Sequence, residues 1–459
     1  MDTAAKELEA KAGVKGFQDI EAPLSLLLRN EEKLSAYGGF SLISSLIDGV
    51  SDLDPASNAR RNILLTDAAK QASRDALEVA LTAWAEMLEQ FEDAPSMAMH
   101  CEEQVNLYEA AYKANLLKVV EESKNLERSY RNVELFFENA GSARLRNVSF
   151  VNCDPQQIRD IEEPRFSDAV KEELTRNYDR LDLRNNYSML VLPGYLGPNS
   201  VLDKWSVIAH DHKVMLITDF ENVDAPDDLM ELFDTADHTS GDVHRSNVIM
   251  TCNWLIGRGR HEELHEEDDL YVPASGALAG KIYGTLMSQV AAGKKFGIVN
   301  GTDGVKFDLK KSEIANLEKM GLVPMVKENS KVMAFSAKTL FNGDNLGLQT
   351  YSVVRVFDYV TKVLIDFLNR RAFENFNANT RKDLMAQIVK FLDSITGPER
   401  LIEDFTIKRF EQDSVQKDKI HVDIHMKPYF PAKNFMIKME GQRGDESTSW
   451  STSYDQQVS

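Results

Sequence analysis

The alternation of apolar and polar residues is clearest between residues 331 and 441. Residues 332–340 (VMAFSAKTL) form a short apolar run that reads as a buried strand. After a polar loop, Val353, Val356, Phe357, Val360, Val363, Leu364, Phe367 and Leu368 recur at spacings of three and four. That spacing draws one apolar stripe along a long helix. Arg370 and Arg371 close the helix, where cations suit the negative end of its dipole. A second stripe, Leu384, Ile388, Phe391, Leu392 and Ile395, predicts another helix. Thr380 with Asp383 three residues on is its expected capping box, and Gly397-Pro398 stops it. Two alternating runs come last. Ile420, Val422, Ile424 and Met426 interleave with His421, Asp423, His425 and Lys427, and Phe435, Ile437 and Met439 repeat the pattern beyond Pro428 and Pro431. Each predicts a strand with one buried face.

Upstream the pattern is different. Residues 15–55 mix apolar pieces with glycines and prolines and read as an arm that docks on other elements. Residues 60–91 and 102–139 keep helical spacing, with Pro95 between them and Gly141 ending the second. From residue 144, strands expected over 145–154, 187–196, 213–220 and 247–256 alternate with helices over 166–182, 201–210 and 227–233. Such alternation predicts a mixed or parallel sheet covered on both faces. The fold class is therefore α/β. The expected organisation is an N-terminal arm (1–59), a helical segment (60–143), a middle α/β region (144–330), a C-terminal α/β domain (331–441) and a polar tail (442–459). The Ser-rich tail lacks periodicity and is expected to be disordered.

Composition narrows the function. A net charge of −20 argues against a nucleic-acid partner. The charge is uneven: residues 331–440 hold 17 Lys+Arg against 14 Asp+Glu, a net of +3, so the rest carries −23. A solvated acidic surface on the N-terminal part accounts for this; the sharper reading is that the two parts face different partners. Cys101, Cys153 and Cys252 are scattered without metal-type spacing and read as reduced thiols of a cytoplasmic protein. The start, MDTAAKELEAKAG, lacks the features of a secretory signal. No stretch approaches the ~20 apolar residues of a membrane helix, so no membrane insertion is expected.

Few constellations suggest chemistry. His261-Glu262-Glu263-Leu264-His265 matches the H-E-x-x-H zinc motif, which needs two histidines one helical turn apart and a glutamate to activate water. Its flanks, Arg258-Gly259-Arg260 and Glu266 to Asp269, are those of an exposed charged loop rather than a partly buried catalytic helix. A zinc metalloprotease using His261, Glu262 and His265 is the alternative from a different class. His421, Asp423 and His425 share one side of a strand, which reads as the polar face of an amphipathic strand. There is no phosphate-binding glycine motif and no nucleophile elbow. No enzyme activity, cofactor or metal is expected.

The order strand, long helix, helix, strand and two terminal strands, carried by FSAKTL, YSVVRVFDYVTKVLIDFLNRRAFENFNANT, FLDSITGPERLIEDFTIK and HVDIHMKPYFPAKNFMIKMEG, resembles contractile tail sheath proteins. It is most similar to the large sheath subunit of type VI secretion systems, in a divergent form. NLERSYRNVELFF (125–137) and YVPASGALAG (271–280) carry a weaker echo. Where the family usually has a tryptophan this chain has Tyr130, and it lacks the family's Pro-Arg pair near residues 255–258. The resemblance implies a C-terminal tail-sheath-type α/β domain with terminal strands for intersubunit sheet addition. It implies a structural subunit that pairs with a small sheath subunit and stacks with other copies of itself in a helical sheath around an inner tube protein. Contraction of that sheath propels the tube. A baseplate and a disassembly ATPase are further implied partners. The intersubunit strands would be Ile420, Val422, Ile424 and Met426 with Phe435, Ile437 and Met439. Arg381 and Lys382 are candidates for facing the tube. The arm is expected to pack on another protomer or on the small subunit. A second alternative is the sheath of a phage-tail-like contractile particle.

Overall fold

The computed structural model describes residues 68–91, 93–141, 145, 147–178, 186–433, 435–441 and 450–456. The expected N-terminal arm, 1–59, lies outside them. The chain divides into two units, 1–116 and 117–459. In the first, α1 (Gln71–Glu89) precedes the start of α2 (Ala94–Ala140). Pro95 sits in the first turn of α2, where a missing N–H costs nothing. The Asp93 carboxylate accepts from the Ser96 amide at 2.8 Å and caps the same turn. At the far end Gly141, with φ +69°, takes the left-handed position that ends a helix.

The second unit is built on parallel strands. After α3 (Pro155–Arg159) and α4 (Arg165–Tyr178) come β1 (Met189–Tyr195), α5 (Asn199–Asp211), β2 (Met215–Asp219), α6 (Pro226–Ala236) and β3 (Val248–Cys252). The expected strand at 145–154 is absent from the described residues of that stretch. Val148, Phe150 and Val151 are exposed there, because no sheet edge receives them. β2 and β3 are buried at every position, as strands covered on both faces must be. Alternation divides their side chains between two layers. Met215, Ile217 and Ile249 face one core with Ala277, Leu278 and Leu135. Leu216, Val248 and Met250 face the other, with Trp205 and Leu202 of α5 and Leu229 and Phe233 of α6.

The single apolar run at 247–256 turns out to be two strands in two sheets. Buried Asn253, with φ +66°, breaks it, and its amide donates to the Phe307 and Met325 carbonyls at 2.8 Å each. Beyond the break β4 (Leu255–Arg258) pairs antiparallel with β5 (Leu270–Val272). α7 (Ser275–Gly284), α8 (Gly293–Phe296), β6 (Ile298–Val299) and β7 (Gly304–Val305) follow, and β7 also pairs with β4. Next come α9 (Lys311–Lys319), β8 (Val323–Glu328) and β9 (Lys331–Ala334). The main sheet runs β1-β2-β3-β8-β9-β6, parallel as far as β8 and antiparallel thereafter.

One close contact fixes α2 to this body. Gly276, Gly280 and Gly284 lie four apart along α7 and face Asn132, Phe136 and Asn139 of α2. A methyl at Gly280 would meet the Phe136 carbonyl oxygen at 2.2 Å, and one at Gly276 the Asn132 carbonyl oxygen at 2.5 Å. Only glycine lets the two backbones approach so closely. Around the contact, side chains of α2 satisfy backbone carbonyls of the body. Asn132 donates to Pro273 O at 2.9 Å, Arg128 to Tyr271 O at 3.1 Å and Arg131 to Gly257 O at 2.9 Å.

α10 (Tyr351–Arg370) follows the expected stripe and is buried over its first six residues. α11 (Ala378–Ser394) begins earlier than expected. Its cap is Asn377, whose side chain accepts from the Asn379 and Thr380 amides, rather than Thr380. Asp383 is therefore free of capping duty and pairs with Arg371 at 2.7 Å. α10 is tied to the body by a polar seam. The Asn247 amide donates to Asp358 at 2.7 Å, and Lys362 donates to Tyr187 O at 2.7 Å and to Asn186 Oδ1 at 3.0 Å. Burial is the main cause that pulls Lys362 down from 10.5 to about 8, with Lys213 adding to the pull and Asp358 opposing it.

Two outcomes are expected. Gly280→Ala should lower the denaturation midpoint by an overpacking cost of roughly 1–3 kcal/mol. Gly284→Ala, whose methyl would stop 3.0 Å from the nearest atom, should cost less; equal midpoints for both variants and the parent would refute the close contact. The second concerns pH. Between about 8 and 10.5 the unfolded chain holds a proton on Lys362 that the folded chain does not, so stability rises with pH across that window. Lys362→Met should flatten this rise, by at most ~3 kcal/mol, in denaturation curves recorded from pH 7.5 to 10.5.

Candidate functional site

The C-terminal elements hold most of the residues that the sequence singles out. α10 and α11 pack on a small core of Val356, Val360, Leu384, Ile388 and Leu392, to which Ile402 and Phe410 of β10 (Ile402–Gln412) contribute. β10 pairs antiparallel with β11 (Ile420–Pro428), with register shifts between Ile402 and Asp404 and between Ile407 and Arg409. Val422, Ile424 and Met426 pack against the same core, and Ile420 is exposed. The connecting turn is fixed by Asp413. Its carboxylate accepts from the Val415 and Gln416 amides at 2.8 and 2.9 Å and pairs with His421 at 2.8 Å. These contacts, the His421 bond first, hold its carboxyl well below the usual range. His421 is thus engaged within its own turn.

The stretch between β11 and the next strand does not leave the body at once. The Tyr429 hydroxyl donates to Gly397 O at 2.7 Å, and Lys433 forms an ion pair with the buried carboxylate of Glu318. Phe430, Pro431 and Lys433 border a cleft of about 510 Å³ whose other wall includes Glu318, Lys338 and Thr350. Beyond it β12 (Phe435–Gly441) pairs antiparallel with β13 (Trp450–Gln456). The expected disordered tail, 442–459, therefore contains a strand. Its signal in the sequence was the alternation of Trp450, Thr452 and Tyr454 with Ser451, Ser453 and Asp455, hidden by low hydrophobicity. β10–β11 and β12–β13 are two separate two-stranded sheets, and among the described residues neither joins another strand. Ile420 to Met426 and Phe435 to Met439 are thus each paired within their own chain, and among the described residues the outer edge of β10 meets only an isolated bridge between Thr396 and Ile402.

Arg381 and Lys382 are exposed in the first turn of α11, and among the described residues neither makes an ion pair. Near them Phe373, in the loop between α10 and α11, is fully exposed with φ +69°. On α2, Val119, Leu126 and Val133 lie seven residues apart and are exposed, with Tyr130 beside them. That repeat is the seam spacing of paired helices.

The zinc reading fails on geometry. His261 precedes a three-residue 3-10 turn, Glu262–Leu264, and His265 has φ 60°, so the two histidines are not one α-helical turn apart. The loop instead serves as a buttress. Buried Glu266 accepts from Arg258 at 2.7 Å and from the His261 amide at 3.0 Å, and Arg258 also pairs with Glu127 of α2. Among the described residues no group of three or more His, Cys, Asp or Glu is placed to hold a metal ion, and no helix is long and apolar enough to cross a membrane.

Comparison with known proteins places this arrangement. Residues 118–342 match the family described as Type VI secretion system TssC/VipB, central domain. Residues 350–456 match the TssC/VipB-like C-terminal domain, and 27–116 the TssC/VipB-like N-terminal region. No curated protein matches. Among solved structures the chain is similar to the contracted helical sheath of the anti-feeding prophage, at 17% identity and a TM-score of 0.41, covering 66% of this chain and 78% of that one. It is similar to a chain of the anti-feeding prophage baseplate at 16% identity and 0.39, covering 51% and 62%. A sheath tail protein from Desulfitobacterium hafniense stands at 11% and 0.36, covering 63% and 59%. The chain thus spans less than two thirds of the length of the last two.

Proposed function

We propose a mechanical role whose premise is that the chain belongs to the TssC/VipB family of the type VI secretion system. On this reading the protein is the large structural subunit of a contractile sheath. It pairs with a small sheath subunit, stacks with copies of itself into a helical cylinder on a baseplate, and surrounds an inner tube that contraction propels. It works in the cytoplasm. No catalytic step is assigned to it.

The observation that carries this reading is the pair of unjoined two-stranded sheets. β10–β11 is held by its packing on α10 and α11, whereas a lone two-stranded sheet such as β12–β13 is marginal in water and gains from a third strand; an unpaired edge is a template for another chain. A protomer that offers strands at one place and open edges at another adds head to tail and builds an open helix. Ile420, Val422, Ile424 and Met426 lie in the receiving hairpin, and Phe435, Ile437 and Met439 lie in the donated one. The exposed repeat Val119, Leu126 and Val133 on α2 supplies an apolar seam for a helix of the small subunit. Arg381 and Lys382 supply positive charge toward the tube.

Ile437→Pro should remove one N–H from β12 and distort it. The variant should still bind the small subunit, yet electron microscopy should find no sheaths; normal contractile sheaths would sink the strand-connector reading. Arg381→Glu combined with Lys382→Glu should reduce co-purification with the inner tube at every salt concentration. For the parent protein the same co-purification should fall as salt rises and screening shortens to ~3 Å at 1 M. A parent insensitive to salt and a variant that retains the tube would argue against this face.

A further inference from the structure

The first turns of α10 hold a positive charge that nothing in the described chain answers. Tyr351, Arg355, Asp358 and Lys362 recur at spacings of four, three and four, so they lie along one face of the helix. Three of the four are engaged. The Tyr351 hydroxyl accepts from the Ala291 amide at 2.8 Å, Asp358 accepts from Asn247, and Lys362 donates to Asn186 and to Tyr187 O. Arg355 is not engaged. It is 9% exposed, its Nη1 is shut from solvent without an acceptor, and among the described residues it makes no hydrogen bond or ion pair. Asp358 stands at the right spacing to be its counter-ion. The cations that act on Asp358, however, are Lys213, Lys362 and His210. Burial pulls Arg355 down from 12.5 to about 10, and the Tyr351 hydroxyl opposes that pull. The guanidinium is therefore charged at neutral pH.

A charge taken out of water is costly unless a counter-ion and hydrogen bonds compensate it. Two further donors lie on the preceding turn. Ser352 Oγ, three residues before Arg355, is buried without a partner among the described residues. The Tyr351 oxygen accepts from Ala291, so its own proton is left for another acceptor. Side chains on a helix lean toward its N-terminus, which carries the guanidinium back over the turn that holds both hydroxyls. That end of α10 adds partial positive charge of its own. Thr350, at the cap, directs its hydroxyl to Leu346 O rather than to the helix amides. The unmet groups can all donate, and the unmet charge is positive. What meets them is an anion. Because Nη1 is closed to solvent, a small ion suits the place and the side chain of a partner protein does not.

We infer that α10 is seated on a small monovalent anion of chloride size, held by the Arg355 guanidinium and the Tyr351 hydroxyl, with the Ser352 hydroxyl as a further donor. A water molecule would accept one of these bonds and leave the charge uncompensated. Tyr351 also holds the Ala291 amide, so the anion ties the start of α10 to the segment before α8. The seating of this helix on its body then depends on anion concentration, whatever the protein assembles into.

Urea denaturation of the full chain tests this, with sodium chloride replacing sodium gluconate at constant ionic strength. Gluconate is too large to enter. An anion that binds only the folded chain raises the ratio of folded to unfolded protein in proportion to its concentration above Kd, so the ratio should climb about tenfold for each tenfold rise in chloride. Arg355→Met should abolish that climb. Tyr351→Phe, which keeps the ring and loses the donor, should shift its onset to several-fold higher chloride. Should Arg355→Met fail to fold, chloride NMR gives a second readout: the parent should broaden the chloride line, and Tyr351→Phe should broaden it less. A parent that does not distinguish chloride from gluconate would overturn the inference. So would equal chloride dependence and equal line width in the parent and Tyr351→Phe, which would mark adventitious binding elsewhere.

Discussion

The seating of α2 against α7 is the constraint on which the second unit turns. Three glycines spaced by four bring the two backbones into contact, and any side chain there would hold them apart. The contact is short-range, so it sets position sharply, and at Gly276 and Gly280 it leaves no room for a methyl. Polar groups then set orientation. Asn132, Arg128 and Arg131 each satisfy a different backbone carbonyl of β4, β5 or the segment before α7. The Glu127–Arg258–Glu266 chain links the same helix to the loop that mimics a zinc motif. Arg258 and Glu266 are largely shielded from water, so removing one partner would leave an uncompensated buried charge.

Downstream the same logic makes the C-terminal elements part of one body. The start of α10 is buried on all sides, and Tyr351 accepts from the Ala291 amide at 2.8 Å. Asp358 and Lys362, one turn apart, reach the central sheet's flank. Buried polar groups of this kind are costly unless satisfied, so they favour a single seating over a loose one. A body with few alternative packings transmits displacement instead of absorbing it. That property suits a subunit of a contractile sheath.

Much of this was legible in the sequence, and the gaps have physical causes. The stripe from Val353 to Leu368 predicted α10 because a half-buried helix writes its period into the chain. β2 and β3 were legible as apolar runs because both their faces are covered. The run at 145–154 had the residues of a strand but no neighbour to pair with, and pairing is a property of the sheet. The break at Asn253 was hidden because a single left-handed residue inside an apolar run changes no periodicity. Thr380 lost the cap to Asn377, which offers a better acceptor three residues earlier. β13 was missed for the opposite reason: its strand character lies in register with β12, and a polar strand leaves little hydrophobic trace. Of the candidate site, the alternation of Ile420 to Met426 and of Phe435 to Met439 was readable, but the anchoring of Lys433 on Glu318 joins residues far apart in sequence and could not be.

The β12–β13 hairpin, a two-stranded sheet on a short linker, has a consequence for energetics. Cross-strand pairs contribute roughly 0.2–1 kcal/mol each, so a joint of seven pairs is worth only about 1–7 kcal/mol before the cost of ordering. On the proposed reading one joint alone is weak, and a free protomer would bind a neighbour reversibly. In a helical lattice each protomer is also held by its other contacts, which raises the effective concentration of the next strand and makes the joints act together. The docked linker, with Tyr429 on Gly397 and Lys433 on Glu318, shortens the free tether between the body and the β12–β13 hairpin. A shorter tether costs less to close and narrows the positions a neighbour can occupy. Weak joints on short tethers can yield under load and still keep their partners, whereas a strong, rigid joint would have to break for the subunits to move.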